Sequence, residues 1–531
     1  MLASVASISA KDLKDMPLTS AAEALNGRLA GVTASTAEGS PDAAVRIRVR
    51  GGMSITGDNS PLYILDGVQV ENALSLIAPQ DIQSVDVLKD AAATAIYGAR
   101  GANGVIVITT KKGRQGKMQV SYNAFYGVKE LANKLAVLSP YEYGVYQYER
   151  SIGNATDSAT FVKNFGSFAN LESLKSVNPI NWQDEVFGNQ GISKSHNLSI
   201  VGGSKKLTYN FGVTTNDDKA IVKNSSLMRG IITGKLEYTP INNLKIGLST
   251  RYNYQEVMGA GTSSDQGTAY NRLRNTVRYK PYLSPSQGIE DADPAAEASV
   301  GNGLILVNPL ELADQEYRRK STEVKNVTVN IAYNILKNLT FTSTFGYNDN
   351  FTVDRKFSDS LTPYSVLSGS KKPIFSKDTI QGTSLTNSNV LAYNIGNDKH
   401  DFSVVLGEET YQLESKTANN LFGLYPNGTT PSQANLFTVT GSRFAGYPKL
   451  QKSKYTSMSF FSRMTYSYLD KYLFSANVRY DGASKFSEDN RWGSFPSGSF
   501  AWRIKKEKFL EDVDFISDMK LRVGFGTVGN N

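Results

Sequence analysis

From about residue 118 onward, the chain is dominated by strict alternation between apolar and polar residues. The clearest stretch, residues 244–254, places leucine, isoleucine and tyrosine on one face, with lysine, serine, arginine and asparagine on the other. A period of two residues predicts a β-strand with one apolar face. Similar stretches begin near residues 119, 194, 206, 229, 244, 323, 339, 385, 401, 456, 472, 497 and 519. We therefore predict thirteen strands, each with one polar and one apolar face.

The joins between these strands alternate between short and long. The short joins are residues 202–205, 240–243, 337–338, 396–399 and 469–471, and the long ones are 129–192, 257–321, 353–384 and 414–454. Transmembrane β-barrels have tight turns at one end and long loops at the other, whereas β-sandwiches have no reason to place every long loop at one end. The exception is the join 505–518. A short join is expected at this place in the alternation, but these residues are numerous enough for a small amphipathic helix. The pattern predicts an antiparallel transmembrane β-barrel.

The first 117 residues have a different texture, with short strands and short helices joined by glycines. Residues 20–25 form a capped helix candidate that closes at Gly27, and residues 45–49 alternate valine or isoleucine with arginine. Residues 62–65 and 68–70 flank an Asp66-Gly67 dipeptide, which is typical of a two-residue hairpin turn. We predict a small α+β domain over residues 1–117, followed by the barrel over residues 118–531. The arginines of 45–50 are expected to face water or barrel carboxylates.

Residues 81–113 predict a compact unit of strand, short helix, glycine-rich turn and strand. Residues 84–88 alternate, 90–96 are alanine-rich with an acidic start, and 105–110 are β-branched. Gly98 is expected to end the helix, and Asn103-Gly104 to form a tight turn. The spacing of Gly98, Gly101 and Gly104 is not G-x-G-x-x-G, and no helix follows the loop, which argues against a phosphate-binding cradle.

Composition narrows the possible classes of protein. The chain has 28 tyrosines, 24 phenylalanines, no cysteine and a net charge of +8 that is spread along its length. Spread charge favours a solvated surface over a nucleic-acid site, and the absence of cysteine excludes disulfides within the chain. No apolar run approaches the roughly 20 residues that a membrane-spanning helix needs. The N-terminus has no signal-peptide pattern, so we expect Met1 not to be the natural start.

Motifs for catalysis or metal binding are missing from the sequence. His196 and His400 have no neighbours at zinc-ligand spacing, and both are expected at strand ends. The acidic run 290–293 is expected to be a solvated loop, and Glu408 and Glu409 should point to opposite faces of a strand. There is no nucleophile elbow, zinc-protease motif, Walker loop or EF-hand. We therefore predict a protein that is not an enzyme and has no cofactor or metal.

Several motifs resemble a known family. The run VDVLKDAAATAIYGARGANGVIVITTKKG at 85–113 is similar to the end of the plug domain of TonB-dependent outer-membrane transporters, above all the SusC/RagA family of Bacteroidota-type bacteria. LNGRLAGV at 25–32, AVRIRVRGG at 44–52 and PLYILDGV at 61–68 fit the same order. YDGASKF at 480–486 and RWGSFPSGSFAWR at 491–503 resemble a barrel segment of that family.

The resemblance implies a function and partners. It implies active import of an oligosaccharide or a peptide across the outer membrane, powered by the TonB–ExbB–ExbD complex, with a SusD-like surface lipoprotein as a lid. Two alternatives stay open, a TonB-dependent receptor for an iron chelate or a vitamin, and a surface all-β glycan-binding protein. The family's TonB box would lie before residue 1, and thirteen strands is an odd number. We therefore expect this chain to be part of a longer protein and its sheet to stay open.

The resemblance also assigns structural and gating roles to particular positions, with no substrate-contacting residue among them. The plug positions are Arg50, Gly51, Asp66, Gly67, Tyr97, Gly98, Arg100, Gly101, Asn103 and Gly104. The barrel positions are Asp481, Gly482, Arg491, Trp492, Gly493, Trp502 and Arg503. Glycines at 101 and 104 are expected to provide positive φ or close packing.

Overall fold

A computed structural model describes most of the chain. The described residues are 5–13, 22, 25, 27–36, 45–52, 59–71, 73–90, 94–259, 272–282, 308–362, 364–365, 370–436, 443–444, 448–511, 513–527 and 529. Most of the helix predicted over 20–25 and all of the acidic run 290–293 lie outside these residues. We refer to the residues before Gly116 as the N-terminal unit, and to the large sheet that follows as the wall.

The described residues of the N-terminal unit include seven short strands. They are β1 (Val5–Ser9), β2 (Val32–Thr36), β3 (Val45–Val49), β4 (Leu62–Leu65), β5 (Val68–Gln69), β6 (Ile82–Leu88) and β7 (Val105–Thr110). Five form a sheet in the order β1-β6-β7-β4-β5, in which β4 and β7 are parallel, and β2 pairs with β3. Aliphatic residues such as Leu25, Leu65 and Ile82 form its core. The predicted hairpin around Asp66-Gly67 and the strand over 105–110 are both present.

The helical segment before Gly98 differs from the expectation. A 3₁₀ helix spans Ala95–Arg100, and residues 91–93 lie outside the described part of the chain. Gly98 lies inside this segment with φ 57° and ψ −132°, so it kinks the turn and does not end a regular helix. The alanine-rich run before Gly98 is short. The i→i+3 geometry of a 3₁₀ helix is tight, so the chain can bend sharply toward the wall at this turn.

The wall contains the thirteen long strands and one two-residue strand, counting only the residues that the structure describes. They are β8 (Gly116–Lys129), β9 (Gly191–Gly203), β10 (Leu207–Lys219), β11 (Ser226–Ile241), β12 (Leu244–Met258), β13 (Glu316–Leu336), β14 (Leu339–Ser358), β15 (Ile374–Gly396), β16 (His400–Gly423), β17 (Arg443–Phe444), β18 (Lys449–Tyr468), β19 (Tyr472–Ala483), β20 (Trp492–Arg503) and β21 (Lys520–Gly526). All pairings are antiparallel, and every long strand pairs with the long strands next to it in sequence, so β18 pairs with β16 and not with the short β17.

The sheet is open. Its path runs from β8 to β21, with β17 attached to the side of β16. Within the described residues, β8 pairs only with β9, and β21 pairs only with β20. This is the open sheet that the odd number of long strands predicts.

Several strands are longer than predicted, and two of the predicted long loops are correspondingly shorter. β14 runs to Ser358 and β15 starts at Ile374, so most of 353–384 is strand. In the same way, β16 continues to Gly423 and β18 starts at Lys449. These extensions are polar on both faces, for example SKDTIQGTS at 376–384, because strands beyond the bilayer face water on the outside. Alternation therefore marked only the membrane-facing part of each strand.

The long joins carry most of the helices. The helices are Ala10–Leu13, Pro140–Ser151, Ala155–Phe165, Trp182–Phe187, Arg272–Arg278, Pro309–Gln315, Pro431–Leu436 and Lys508–Glu511, and the 3₁₀ helices besides Ala95–Arg100 are Ala73–Ser75, Pro79–Asp81, Phe168–Ser176, Glu488–Asn490 and Ile504–Lys506. None of the helices in the described residues is long and apolar enough to cross a membrane. The helix expected within 505–518 is a single turn beside a 3₁₀ turn.

Both histidines lie on the outer face of the wall beside tyrosines. His400 is the first residue of β16, as expected, and its Nδ1 lies 2.8 Å from the hydroxyl of Tyr466. His196 is inside β9 and not at a strand end, with its Nδ1 2.8 Å from the hydroxyl of Tyr122. Rings with an apolar body and a polar tip suit a membrane–water interface.

The two faces of β12 have opposite environments. Ser249 and Arg251 are buried on the side of the N-terminal unit, whereas Tyr252 is exposed on the other side. A nitroxide at Leu248 of the complete protein in lipid should therefore be accessible to oxygen, while one at Ser249 should be shielded from it. Power-saturation EPR measures this accessibility. Equal accessibility at the two neighbouring positions would contradict the assignment of the faces.

The wall curves around the N-terminal unit. The same small unit contacts Arg251 on β12, Gly346 on β14 and Arg479 on β19. These strands lie far apart along the path of the sheet, so a flat sheet could not bring all of them to one small domain. In these three strands, the polar face therefore points toward the N-terminal unit, and the apolar face points away from it.

Candidate functional site

The hairpin turn of the N-terminal unit is tied to β11 and β12. Asp66 forms ion pairs with Arg251, as a very short contact, and with the Nζ of Lys235 at 3.1 Å. Its carboxylate also accepts hydrogen bonds from the backbone N–H and the hydroxyl of Thr110, at 3.0 and 2.7 Å. Asp66 and Gly67 both have positive φ, 47° and 89°, as the two central residues of a tight hairpin turn do. The turn thus directs one carboxylate at two wall cations.

At Asp66, pairing with cations lowers the pKa by more than burial raises it. Burial alone raises the pKa of a carboxyl group, but Arg251, Lys235 and the two Thr110 hydrogen bonds lower the pKa of Asp66 to about 2. The carboxylate is therefore ionised at any physiological pH. Since its side chain and that of Arg251 are almost fully excluded from water, separating them exposes uncompensated charge in a poorly solvated place.

A second buried carboxylate, Asp81, lies near the first. Burial raises its pKa, although Arg251 and Lys111 act in the opposite direction. The backbone N–H of Lys111 donates to the Asp81 carbonyl at 2.9 Å, which fixes the end of β7 beside the start of β6. Arg251 thus faces two carboxylates of the N-terminal unit, and it interacts most closely with Asp66.

The kinked turn at Gly98 contacts the wall on the opposite part of the sheet path, at β19. The guanidinium of Arg479 donates to the carbonyl of Ile96 at 2.7 Å, to Asp481 at 2.6 Å and to Glu409 at 3.3 Å. A Cβ atom on Gly98 would lie 1.8 Å from the Asp481 carboxylate. The two sequence motifs, 97–104 and 480–482, are therefore in direct contact, although 383 residues separate Arg479 from Ile96.

Two further side chains hold the same turn against the wall. The guanidinium of Arg100 lies 4.2 Å from the ring centre of Tyr411 and 4.7 Å from that of Tyr455. It also donates to Ser457 at 3.2 Å and to Gln69. Burial raises the pKa of Tyr97 to about 12, so its phenol stays protonated beside Glu409. Cation–π contacts of a desolvated arginine are worth up to about 2 kcal/mol.

The rest of the 97–104 motif shapes the turn. Gly101 has an ordinary φ of −83°, and a Cβ there would lie 2.6 Å from the carbonyl oxygen of Thr94. Gly104 has a φ of 86°, and its Cβ would lie 2.9 Å from that of Val49. Close packing therefore explains why residue 101 is a glycine. Residue 104 must be a glycine both because its φ is positive and because it is closely packed. Asn103 is half-buried in the turn before Gly104.

Bulky residues at these two positions should loosen the turn. Gly101→Val and Gly104→Val force the backbone of 94–104 to move, because the clashing atoms are backbone or β-branched. We expect the wall of the complete protein to fold normally in each variant, and the amides of 94–104 to exchange faster than in the wild type. Heat-modifiable gel mobility measures the folding of the wall, and hydrogen–deuterium exchange measures the loosening of the turn.

Gly382→Val is the matched control, since nothing lies within 4 Å of a Cβ at this wall position. Wild-type exchange rates in the Gly101 and Gly104 variants would show that close packing at these two glycines does not hold the turn.

Arg50 and Gly51 lie at a tight turn on the surface of the N-terminal unit. Both have positive φ, 58° and 92°, and both are exposed. The backbone N–H of Arg50 donates to the carbonyl of Gly31 at 2.8 Å, which ties the end of β3 to the start of β2. Arg46 is also exposed, so two of the three arginines in this strand region face water.

The barrel motif surrounds an exposed tryptophan. Gly482 pairs with Trp492, whose ring covers the glycine; a Cβ on Gly482 would lie 2.8 Å from that ring. The ring stacks on Tyr480 with centroids 4.9 Å apart. Gly493 leaves space for the ring of Phe495, and the carbonyl of Arg491 accepts from Ala483 at 3.0 Å. An aromatic ring over a strand glycine is a known way to stabilise a sheet.

Trp502 and Arg503 lie at the other end of β20, away from the turn at Gly98. The indole N–H of Trp502 donates to Glu507 at 3.1 Å, and Arg503 donates to Asp470 at 2.6 Å. Lys471 also pairs with Glu507, at 3.2 Å. These contacts fasten the short turn 469–471 to the segment after β20, so they brace the wall.

Sequence reasoning missed the wall residues that hold the N-terminal unit. Arg251, Lys235 and Arg479 are inward-facing cations in alternating strands, and Tyr411 and Tyr455 are inward-facing aromatics. An arginine on the polar face of a strand has no local feature that separates it from a solvated one. In the part of the chain that the structure describes, no group of three or more His, Cys, Asp or Glu residues could hold a metal ion.

Comparisons with known proteins agree with this geometry. A family model described as TonB-dependent Receptor Plug Domain matches residues 1–105. TonB-dependent receptor SusC of Bacteroides thetaiotaomicron is 30% identical over 554 residues, which cover 100% of this chain and 52% of that protein. TonB-dependent receptor P3 of Formosa agariphila is 31% identical over 532 residues, which cover 99% of this chain and 50% of that protein.

Solved structures show the same fold. The RagAB peptide transporter superposes with a TM-score of 0.80 and 22% identity, over 100% of this chain and 60% of that one. The ferric citrate transporter FecA has a TM-score of 0.60 and 10% identity, over 95% of this chain and 61% of that one. The chain spans about half the length of the curated relatives it matches.

Proposed function

The chain belongs to the SusC/RagA family of TonB-dependent transporters, and on that premise we propose that it carries out active import of a nutrient across the outer membrane. In this proposal, residues 1–117 are the plug domain and residues 118–531 belong to the barrel. The observation that carries the proposal is the contact between the kinked turn at Gly98 and Arg479 and Asp481, because it fixes a small domain inside a curved wall.

A plug held by buried charges needs energy to move. The ion pairs of Asp66 and the stacked guanidinium of Arg100 keep the N-terminal unit in the lumen when no substrate is bound. Import through the lumen requires part of this unit to be displaced, which a pull from the periplasmic side supplies. In this proposal the TonB–ExbB–ExbD complex provides the pull, and substrate binding outside biases the same two-state rearrangement.

The long joins suit a partner at the outer face. Helices Pro140–Ser151, Ala155–Phe165 and Trp182–Phe187 belong to the join between β8 and β9, and Pro309–Gln315 precedes β13. The short turns lie at the other end of the wall, so these helices gather on one side of the membrane. We assign this side to the exterior, where a SusD-like lipoprotein would close over the mouth.

We propose an oligosaccharide or a peptide as the cargo. TonB-dependent receptor SusC is 30% identical to this chain, against 10% for FecA, and the superposition with the RagAB peptide transporter has a higher TM-score than that with FecA. The import of an iron chelate is the second candidate, and it rests on fold similarity alone.

Growth on single nutrients tests the proposal. Cells that lack the complete gene should fail to grow on one class of oligosaccharide or peptide and should grow normally on its monomers and under iron limitation. The complete protein, purified from detergent-solubilised outer membranes, should also bring down a lipoprotein. A deletion that impairs growth only when iron or a vitamin is scarce would favour the second candidate and overturn the first.

A further inference from the structure

Two of the long joins of the wall meet around a pocket. It lies between the segment 136–138, the helix Pro140–Ser151, residues 180–182 and the end of the helix Arg272–Arg278. Its volume is about 450 Å³. Pockets that bind small ligands measure about 300–1,000 Å³, so this one suits a small group at one end of a cargo and not a whole oligomer. We call it the loop pocket.

Contacts between the two joins fix the walls of the loop pocket. The backbone N–H of Ile180 donates to the carbonyl of Pro281 at 2.7 Å, and the indole N–H of Trp182 donates to that of Lys280 at 2.8 Å. The rings of Trp182 and Tyr279 pack edge to face with their centroids 5.3 Å apart. A pocket whose walls are fixed before binding loses little conformational freedom when a ligand enters.

Apolar side chains form most of the lining of the loop pocket. Val137, Leu138 and Tyr146 belong to it and are 41%, 43% and 47% exposed, so the pocket opens to the surface beside them. Deeper in the lining, Tyr143 and Gln147 are buried and hydrogen-bonded to each other. Apolar walls with a few fixed polar groups are typical of a site that binds a ligand.

Two arginines give the loop pocket a positive charge. Arg150 and Arg278 both line it. Burial raises the pKa of the Tyr143 phenol, while the charges of Arg278 and Arg150 lower it, so both guanidinium groups act on this hydroxyl. Among the residues that the structure describes, Arg150 has no carboxylate partner, and its guanidinium lies 5.5 Å from the ring centre of Tyr146.

The carboxylate of the lining is engaged elsewhere. In the described lining this carboxylate is Glu142, which accepts hydrogen bonds from the backbone N–H and the hydroxyl of Ser139 at 2.9 and 2.7 Å. These bonds belong to the capping box of the helix Pro140–Ser151. Arg150 lies in the last turn of that helix, about 12 Å further along its axis. The pocket therefore keeps a cation with which an anionic ligand can pair.

We propose that the loop pocket binds the C-terminal residue of a peptide cargo, an inference that rests on the proposed import function. A free α-carboxylate can accept two parallel N–H bonds from a guanidinium such as that of Arg150, while the apolar walls enclose an apolar side chain beside it. An acidic sugar fits less well, because the apolar walls would leave several of its hydroxyl groups without hydrogen-bond partners. The pocket belongs to the long joins, which we assign to the outer side.

Binding of short peptides to the complete transporter in detergent tests this assignment. The probes are N-acetyl-Ala-Ala-Phe with a free carboxylate and the same peptide with a C-terminal amide. In isothermal titration calorimetry, we expect the acid to bind at least about tenfold more tightly than the amide, because only the acid forms a charge-assisted pair. Equal affinities, or no binding of either peptide, would overturn the proposal.

Arg150→Gln should remove most of this preference, leaving the acid and the amide within about twofold of each other. Arg274→Gln is the matched control, since Arg274 lies exposed on the helix Arg272–Arg278 but does not line the pocket. It should keep the tenfold preference. Equal losses in the two variants would show that the general positive charge of the loops, and not the loop pocket, selects the acid.

Val137→Asp gives a second readout at the exposed rim, where a polar residue is compatible with folding. Compared with Val137→Asn, it should weaken binding of the acid by about fivefold and leave the amide unchanged, because only the acid is repelled. A disaccharide that ends in glucuronate is the third probe. If it binds in an Arg150-dependent manner and the acid peptide does not, the peptide assignment is wrong. Binding measures the pocket and growth measures import, so the failure of one is distinguishable from the failure of the other.

Discussion

Replacing Asp66 with alanine should lower the stability of the docked N-terminal unit by about 3–5 kcal/mol, because it leaves two buried cations without their partner. Arg251 and Lys235 both point at this carboxylate from the wall, and Thr110 donates two hydrogen bonds to it. Hydrogen–deuterium exchange of the complete protein in detergent measures the effect. Amides of β6 and β7 should exchange far faster in the variant than in the wild type.

The matched control is Asp86→Ala in β6. It removes the same charge from the same unit, but Asp86 accepts hydrogen bonds from the hydroxyls of Ser84 and Ser7 and, in the described residues, has no ion pair. We expect a loss of about 1 kcal/mol there. Equal protection losses in the two variants would show that the ion pairs with the wall add nothing to docking.

Protonation of Asp66 should weaken the docking of the N-terminal unit against the wall at acid pH. The pKa of this residue in the folded protein is about 2, against an ordinary value of 3.8, so ionised Asp66 stabilises the folded state. That stabilisation is fully present above about pH 4, and it is lost as the pH falls from about 4 toward 2. The loss amounts to about 2 kcal/mol, and it should be absent from Asp66→Asn. An unchanged acid profile in Asp66→Asn would contradict this assignment.

Gly98→Ala should disrupt the contact between the two sequence motifs. The new Cβ would overlap the Asp481 carboxylate, and the φ of 57° is unfavourable for any residue with a side chain. Displacing the turn also breaks the hydrogen bond from Arg479 to Ile96, so we expect a total cost of about 3 kcal/mol or more. Trypsin should then cleave after Arg100, which the rings of Tyr411 and Tyr455 enclose in the wild type.

Gly67→Ala is the matched control for Gly98→Ala, because it introduces backbone strain without a steric clash. Gly67 also has a positive φ, 89°, but nothing lies within 4 Å of a Cβ there. It should cost about 1 kcal/mol and leave Arg100 protected from trypsin. Similar cleavage of the two variants would mean that contact with Asp481 is not what holds the turn.

Much of the fold was predictable because it depends on local periodicity. Strand β12 starts at Leu244, where the alternation starts, and the Asp66-Gly67 turn has the expected hairpin geometry. Strands β14 to β18 extend beyond the expected ends, because alternation fades where both faces are polar. The kink at Gly98 could not be predicted from the local sequence, because the wall residues that contact this turn are about 380 positions away.

The contacts that hold the N-terminal unit were only half predictable. Family motifs pointed to Asp66, Arg100 and Asp481, but they did not show that Gly98 and Asp481 touch. Arg251 is 185 residues from Asp66, and its local sequence is that of any polar strand face. Such a pair follows from how the sheet curves, which is a property of the whole wall.

A reversible lock between the N-terminal unit and the wall tests the central claim most directly. A Cβ on Gly346 would lie 3.2 Å from the Cβ of Val68, close to disulfide geometry, and the chain contains no other cysteine. In the complete transporter, Val68→Cys combined with Gly346→Cys should abolish nutrient uptake when oxidised, and a reductant should restore it. Val68→Cys alone should import normally under both conditions. Gly346→Cys combined with Val68→Ala should do the same, because alanine at 68 removes the two Cγ atoms that a Cβ at 346 would approach to 2.4 and 2.9 Å. Wild-type uptake through the oxidised, fully crosslinked protein would show that the unit need not move, and it would contradict the proposed import mechanism.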